Sequence, residues 1–410
     1  MQELYAKVCE KYAHLPWPEI GTLGVITNVC GGMGDIVACA KVIMILLDEI
    51  PSIKEVNWVV LSKKVDPRSF ILPRYHSRIT LGDETESTEI DFLLDGPAIT
   101  GWNTRYMQKF FRPKLPQRSW HFKECGYSYP KLTSLEEYAK YAKKMNNFAL
   151  PMGLIEGSGV LINAPLPLGD EAPSWWNMVP KEYSFNFGYA HNPWMKYRFV
   201  DAVSMHERER NICIVFTSKG EFKSTNASDF ITNLAELDDV GELTVIQKAE
   251  HGFDVQSKTI SESGSRHLLI LLFDRFTHDE MIFLFRHSDR CLVTGNNSAI
   301  ECWRLLQGDN SLFMYEDVHN GGVTHHFLDQ QVQIADETLS KFLRSSDEKE
   351  IDRDATRNLL QNRNISQSTR DFCDTVKKNY DFTPHILTSL KRHFYLHDDT
   401  LRNEYDFLRQ

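Results

Sequence analysis

The chain has 410 residues, more than one compact core usually organises and about the size of two domains. Hydrophobic residues make up 42% and charged residues 25%, the make-up of an ordinary globular protein, and a net charge of −10 argues against a general nucleic-acid binder. Eight cysteines are scattered without any C-x-x-C spacing and several lie in apolar runs, which predicts free thiols in a reducing, cytoplasmic compartment and no zinc site.

The segment Met1-Gln-Glu-Leu-Tyr-Ala-Lys7 lacks the apolar core of a signal sequence. The most apolar run, 36–47, is interrupted by Lys41 and is too short to span a bilayer. In chain order, residues 22–29 form a β-rich run that leads into the glycine turn Gly31-Gly32-Met33-Gly34-Asp35. Residues 36–47 then read as a largely buried helix, 56–61 as a second strand and 90–94 as a third. Strand, helix and strand at this spacing predict a βαβ unit and a parallel sheet. Residues 102–129, rich in aromatic and basic side chains, read as a loop, 134–145 as a helix opened by a Ser-Leu-Glu-Glu capping box, and 160–163 as a strand.

Residues 169–180 read as the crossover to a second α/β pattern. Its predicted strands are 185–189, 212–217, 243–247, 267–273, 290–293 and 312–315, with helices at 193–206, 278–286 and 298–306. Beyond about residue 324 the pattern is mostly helical. The expected fold is therefore α/β, with two facing Rossmann-like domains, a cleft between them and a helical C-terminal segment.

Two turns follow strands in the manner of phosphate- or sugar-binding loops. In the first, Gly31, Gly32 and Gly34 let a ligand approach the backbone closely. Asp35 is either the N-cap of the following helix or a carboxylate acting as base toward an acceptor. In the second, Thr294-Gly295-Asn296-Asn297-Ser298 precedes an apolar helix, and Ser298 with Glu301 has capping-box spacing. A helix N-terminus at Ser298 favours an anionic group. The alternative is a plain tight turn with Ser298 as a cap; for Glu301 the leading reading is capping partner, the lesser one a ribose contact.

Thr217-Ser218-Lys219 follows a strong strand and offers hydroxyls and a cation to a diphosphate, or else is a polar turn with a solvated lysine. It is not a P-loop, and the G-x-S-x-G elbow of hydrolases is missing. Gly32-Met-Gly34-Asp-Ile-Val37 lacks the third glycine of a dinucleotide fingerprint, and the following strand runs into Leu61-Ser-Lys-Lys64 rather than an acid, which leaves an NADP-dependent oxidoreductase as a weak reading. His319 and the His325-His326 pair flank a glycine turn and can touch a sugar or phosphate, but their spacing does not suit zinc.

Taken together, Gly34-Asp35-Ile36 early, Phe185-Asn-Phe187-Gly-Tyr189 midway and Gly295-Asn296-Asn297-Ser298 late resemble the GT-B glycosyltransferases, and among them the bacterial protein-arginine rhamnosyltransferases that modify elongation factor P. The resemblance covers the order of motifs over most of the chain, with few matched positions. It implies a metal-independent, inverting transfer from a nucleotide diphosphate-sugar, used as co-substrate without a further cofactor, to an acceptor that can be a protein side chain. It implies an acceptor-side domain over 1–175, a nucleotide-sugar-binding domain over 176–385 and a helical tail over 386–410. Asp35 would be the catalytic carboxylate. Gly32, Gly34, Phe187, Tyr189, Thr217, Ser218, Lys219, Thr294, Gly295, Asn296, Asn297, Ser298, Glu301 and His325 would bind the donor. The chain departs from the family where two carboxylates become Asn296 and Asn297, an arginine becomes Thr294, and a further carboxylate becomes Gly31. Amides bind hydroxyls but do not act as bases, so a sugar- or nucleotide-binding protein without transferase activity is the second reading.

Overall fold

The computed structural model describes residues 12–27, 33–61, 66–82, 87–96, 110–114, 119–121, 152–154, 159–219, 224–317, 327–347, 352–362 and 364–397. The chain divides into two compact units. The first comprises Met1–Pro167, Asn320–Phe327 and Val376–Gln410, and the second Leu168–His319 and Leu328–Thr375.

The first unit is built on β1 (Thr22–Thr27), α1 (Gly34–Glu49), β2 (Glu55–Val60), β3 (Ile79–Leu81), β4 (Thr88–Ile90), β5 (Phe92–Asp95), β6 (Phe111–Pro113) and β7 (Ser119–His121). Five strands form a parallel sheet in the order β3-β2-β1-β5-β7, and β4 pairs with β6. Every side chain from Asp35 to Leu47 is buried, so α1 is a helix enclosed on all sides, as its nearly unbroken apolar run requires. The small β4–β6 pair packs closely on β1: a Cβ on Gly24 would lie 2.5 Å from Ile90 Cδ1 and 3.1 Å from Phe111 Cδ1. Strands β6 and β7 fall where a loop is expected from sequence, and the helix expected over 134–145 lies outside the described residues.

The strand expected over 160–163 is reduced to one bridge. Val160 donates to Tyr380 O at 2.7 Å and accepts from Phe382 N at 2.9 Å. That bridge leads into the terminal helix Thr383–His397, whose Phe394 ring lies 4.6 Å from Phe92 on β5. Tyr395 Oη donates to Pro16 O and Lys391 Nζ to Ala13 O, both at 2.9 Å. These contacts are why the chain from Val376 onward belongs to the first unit instead of standing apart as a tail. The first boundary likewise falls at Pro167, short of the expected 175.

The second unit contains β8 (Ser184–Gly188), α2 (Pro193–His206), β9 (Ile212–Thr217), α3 (Ala227–Asn233), β10 (Val240–Ala249), β11 (Gly252–Thr259), β12 (Arg266–Phe273), α4 (His278–His287), β13 (Arg290–Thr294), α5 (Asn296–Leu305) and β14 (Leu312–Glu316). The helices α6 (Phe327–Ile334), α7 (Glu337–Asp347), α8 (Arg353–Gln361) and α9 (Ile365–Asn379) follow, with the terminal helix as α10. Its sheet runs β11-β10-β12-β9-β8-β13-β14 and is parallel except for the edge hairpin β10–β11. The central strands β9 (Ile-Cys-Ile-Val-Phe-Thr) and β12 (with Leu-Leu-Ile-Leu-Leu-Phe) read as nearly continuous apolar runs, the pattern of strands covered on both faces.

A buried polar network fastens this sheet at the amino ends of β8 and β13. Arg290, 1% exposed, donates to Ser184 Oγ at 2.8 Å, to Glu207 Oε2 at 3.3 Å and to His206 Nδ1 at 2.6 Å. Arg210 joins Glu207 to Asp289 with contacts of 3.0 and 2.7 Å. Burial pushes the Glu207 carboxyl up, but Arg290 and Arg210 outweigh it and hold it at about 2. Burial, with Arg290 adding to it, lowers His206 to about 3.

Candidate functional site

Each of the two large sheets has a point, among the described residues, where the chain reverses its direction of travel. In the second unit β8 leads through α2 to β9 on one side, whereas its neighbour β13 leads through α5 to β14 on the other. The loops leaving β8 and β13 diverge, and open α/β sheets bind ligands in the crevice this creates at the carboxyl ends. In the first unit the corresponding pair is β1 and β5.

The lip after β13 is the turn singled out by sequence. Gly295 has φ 74° and ψ 150°, a conformation that L side chains rarely adopt, and it serves as N-cap of α5 without any side-chain cap. The helix starts at Asn296, two residues earlier than expected, so Ser298 lies inside the first turn and is not the cap. Glu301 is not a capping-box partner either. It is 2% exposed and its Oε1 is 2.9 Å from Nε2 of His278, the first residue of α4. The capping pattern is misleading because the glycine conformation starts the helix directly from the strand. Asn296 and Asn297 are each 7% exposed, and Asn296 Oδ1 accepts from Tyr315 Oη at 3.1 Å. Thr294 is buried, with Oγ1 3.4 Å from Glu316 O. Ser298 remains half-buried. The first N–H groups of any helix lack an intrahelical acceptor, so this turn is suited to an anion.

The opposite lip follows β8. Tyr189 is half-buried, its N–H donates to Leu292 O at 2.7 Å, and its ring lies 5.8 Å from that of His191. Phe187 is a correction. It has no exposed surface, and its ring fills the core 5.6 Å from Phe276 and 5.2 Å from Phe285. Two residues along a strand share a face, but Tyr189 has already left the strand while Phe187 points into its packed layer.

Glu316, which no motif flagged, ties the two lips together. It ends β14 with 1% exposure, and its Oε2 accepts from His191 N at 2.7 Å while Oε1 accepts from Asn192 N and Nδ2 at 2.8 and 2.6 Å. Asn192 is the N-cap of α2, yet its side chain is given to Glu316 instead of the helix. Beneath this loop Lys196 is fully buried and donates to Thr217 O at 2.6 Å and Thr225 Oγ1 at 3.3 Å. Burial lowers its pKa to about 8, with Glu316 acting in the opposite direction.

Thr217, Ser218 and Lys219 do lie at the carboxyl end of β9, as the sequence implies, but they face another acid. Lys219 Nζ is 2.5 Å from Asp274 Oδ2, and Ser218 Oγ donates to Asp274 Oδ1 at 2.8 Å. These two bonds hold the Asp274 carboxyl below its ordinary range. The lysine is exposed but its charge is already met, which weakens it as a diphosphate anchor. Thr217 is 5% exposed and supplies its carbonyl to Lys196.

In the first unit Met33, not Asp35, is the N-cap of α1. Gly34 opens the helix and Asp35 sits in its first turn, 6% exposed, where a negative side chain is favoured by the helix N-terminus. Asp95, 1% exposed, ends β5 opposite Ile26 of β1. Both acids act on the same thiol: burial pushes Cys39 up to about 12, a hydrogen bond with Thr27 opposes this, and the charges of Asp95 and Asp35 add to it. The first-unit switch point thus carries two carboxylates where sequence reading found one. The signal was present in both missed cases, since Asp95 and Glu316 each directly follow an apolar strand run. Gly32, His319, His325 and His326 lie outside the described residues, as do Lys63 and Lys64.

Cys39, Cys213, Cys291, Cys302 and Cys373 are buried free thiols. Among the described residues no helix is long and apolar enough to cross a membrane.

No family model and no curated relative matches the chain. Among solved structures it is similar to a chain described as a UDP-N-acetylglucosamine 2-epimerase from Listeria monocytogenes, at 13% identity and a TM-score of 0.48, over 92% of this chain and 97% of that one. It is similar to MurG from Acinetobacter baumannii, at 9% identity and a TM-score of 0.43, over 91% and 99%. A third is an alpha-glucosyltransferase in complex with UDP, at 11% identity and a TM-score of 0.39, over 95% and 100%.

Proposed function

We propose that the chain is a glycosyltransferase that moves a sugar from a nucleotide diphosphate-sugar to an acceptor, without a metal ion and with inversion at the anomeric carbon. The observation that carries this reading is the turn at Gly295. A glycine in a conformation suited to few other residues opens α5 at the switch point of the second sheet, with no side-chain capping hydrogen bond at that N-cap. A diphosphate is the ligand such a turn suits, because helix N–H groups and the helix dipole both favour negative charge there.

In this reading the first turn of α5, with Ser298 Oγ, receives the diphosphate and offsets the charge that develops as it departs. Tyr189 packs on the base or ribose, and the Glu316 clamp keeps that lip in place. Phe187 and Glu301 have no part in donor contact, and Lys219 has a minor one. Asp35 is the acceptor-side carboxylate that orients or deprotonates the attacking group. A protein side chain is the acceptor class implied by the motif resemblance.

The second reading, a nucleotide-sugar-binding protein without transfer, is favoured by one observation. Asn296 is an amide where the resembling family has a carboxylate, and it is engaged by Tyr315. Titration with a panel of UDP-, dTDP- and GDP-sugars, followed by assay of released nucleoside diphosphate, separates the two. Binding with release supports the transferase, binding without release over long incubation supports the second reading, and no binding by any member ends both.

A further inference from the structure

We propose that the edge strand β11 is a homodimer interface, joining two copies of this chain about a two-fold axis through Gln256 into one continuous sheet. The strand spans Gly252–Thr259 and pairs with β10 in an unbroken register from Ala249↔Gly252 to Glu242↔Thr259. Its other edge ends the sheet. An antiparallel strand directs alternate backbone N–H and C=O groups away from its partner, so this edge presents a row of hydrogen-bonding groups. Of the devices that blunt such an edge, β11 has no proline and no bulge, and its charged side chains are the oppositely signed Asp254 and Lys258.

Side chains alternate between the two faces. Gln256 and Lys258 lie on the α3 side: Ser228 Oγ reaches Gln256 Oε1 at 3.3 Å, and Lys258 Nζ donates to Ile231 O and Leu234 O at 2.9 and 3.2 Å. Asp254 shares that face, accepting from Gln256 Nε2 at 3.0 Å. Phe253 and Val255 occupy the other face with 48% and 58% exposure, an apolar pair left open beside half-buried Ile246.

The charges select the occupant. Asp254 and Lys258 are placed symmetrically about Gln256, and neither forms an ion pair among the described residues. In an antiparallel two-fold pairing centred on Gln256, Asp254 stands opposite Lys258 of the partner subunit, and the reverse pair forms across the axis. Lys258 Nζ has three donors and spends two on carbonyls, which leaves one for that carboxylate. Centring the axis on Asp254 or Lys258 instead opposes like charges. In the favoured register Val255 faces Ser257 of the partner subunit and lies diagonally next to the partner's Val255, so the two exposed valines are brought side by side as the edge is paired. An isologous contact of this kind closes on itself and stops at two copies.

Sedimentation equilibrium on the full chain tests this. The expected result is a dimer for the wild type. Asp254→Lys, which opposes two lysines twice, is expected to weaken association at least about tenfold. Asp254→Lys with Lys258→Asp is expected to restore it, and Val255→Lys, at an exposed site, gives an independent loss. Circular dichroism melts establish that each variant is folded. A wild type that stays monomeric at the highest soluble concentration overturns the proposal. So does a dimer that persists in Asp254→Lys and in Val255→Lys, and a folded double variant that stays monomeric overturns the assigned register.

Discussion

Glu316 grips Asn192 through one carboxylate oxygen, which accepts both the backbone N–H at 2.8 Å and the side-chain Nδ2 at 2.6 Å. The acid ends β14 and the amide opens α2, with β13 between their strands. The grip therefore holds the loop after β8 against the far side of the switch point. Glu316→Gln replaces one acceptor oxygen with an N–H₂, which then faces either the His191 N–H or the two donors of Asn192. We expect a stability loss of about 2–3 kcal/mol in chemical denaturation and weaker nucleotide binding at a temperature where the variant is still folded. Wild-type stability would mean that the loop is held by other contacts.

Ser298 is inside the first turn of α5 and caps nothing. Ser298→Ala should therefore leave the melting midpoint nearly unchanged, within about 0.5 kcal/mol. If its hydroxyl meets the diphosphate, calorimetry should show a loss of roughly 1.5–3 kcal/mol in nucleotide affinity. An unstable variant with normal affinity would return Ser298 to a purely structural role.

Asp35→Asn preserves shape and removes the charge. Transfer should fall by about 10²–10⁴-fold with donor affinity near wild type, measured as product formation beside nucleotide titration. Asp95→Asn provides the comparison, since both acids lie near Cys39. Near-normal turnover in Asp35→Asn would remove it from the mechanism.

The polar network under β8 and β13 predicts acid sensitivity in two stages. His206 titrates at about 3 in the fold against an ordinary 6.5, so the unfolded chain takes up its proton first and stability falls as pH drops below 6.5 toward 3. Glu207 is lowered from 4.5 to about 2, so its contribution is complete above 4.5 and is lost as pH falls through 2. Melting midpoints from pH 8 to 3 should decline from about 6.5 downward in the wild type. In His206→Gln the decline below 6.5 should be shallower, the remainder coming from His385, which burial also lowers. An identical profile in the variant would show that another group sets the upper stage.

Gly295→Ala isolates the backbone. Open space surrounds the position where the new Cβ would go, so no clash is created and the cost is conformational alone, about 1–3 kcal/mol. A denaturation midpoint equal to wild type would show that the turn relaxes to accept a side chain.

Local pattern determined much of this protein. The apolar runs at 22–27, 212–217 and 290–294 are strands because β-branched and aromatic residues fill a sheet covered on both faces, and α2 keeps the bounds its Pro193 start predicts. The glycine turn at Gly295 was legible as well, since glycine adopts that backbone without the strain other residues would carry. Tertiary structure decided what local pattern leaves open. Ser-x-x-Glu at 298–301 has the spacing of a cap, but Glu301 is taken by His278 from another helix. Phe187 and Tyr189 share strand parity, but only packing buries one and leaves the other half open. Glu316, Asp95 and Asp274 are acids after apolar runs, and their roles depend on which strands stand beside them. Strand order is set by long-range burial rather than by neighbours in sequence, so the switch points, and the residues they bring together, emerge only when the chain has folded.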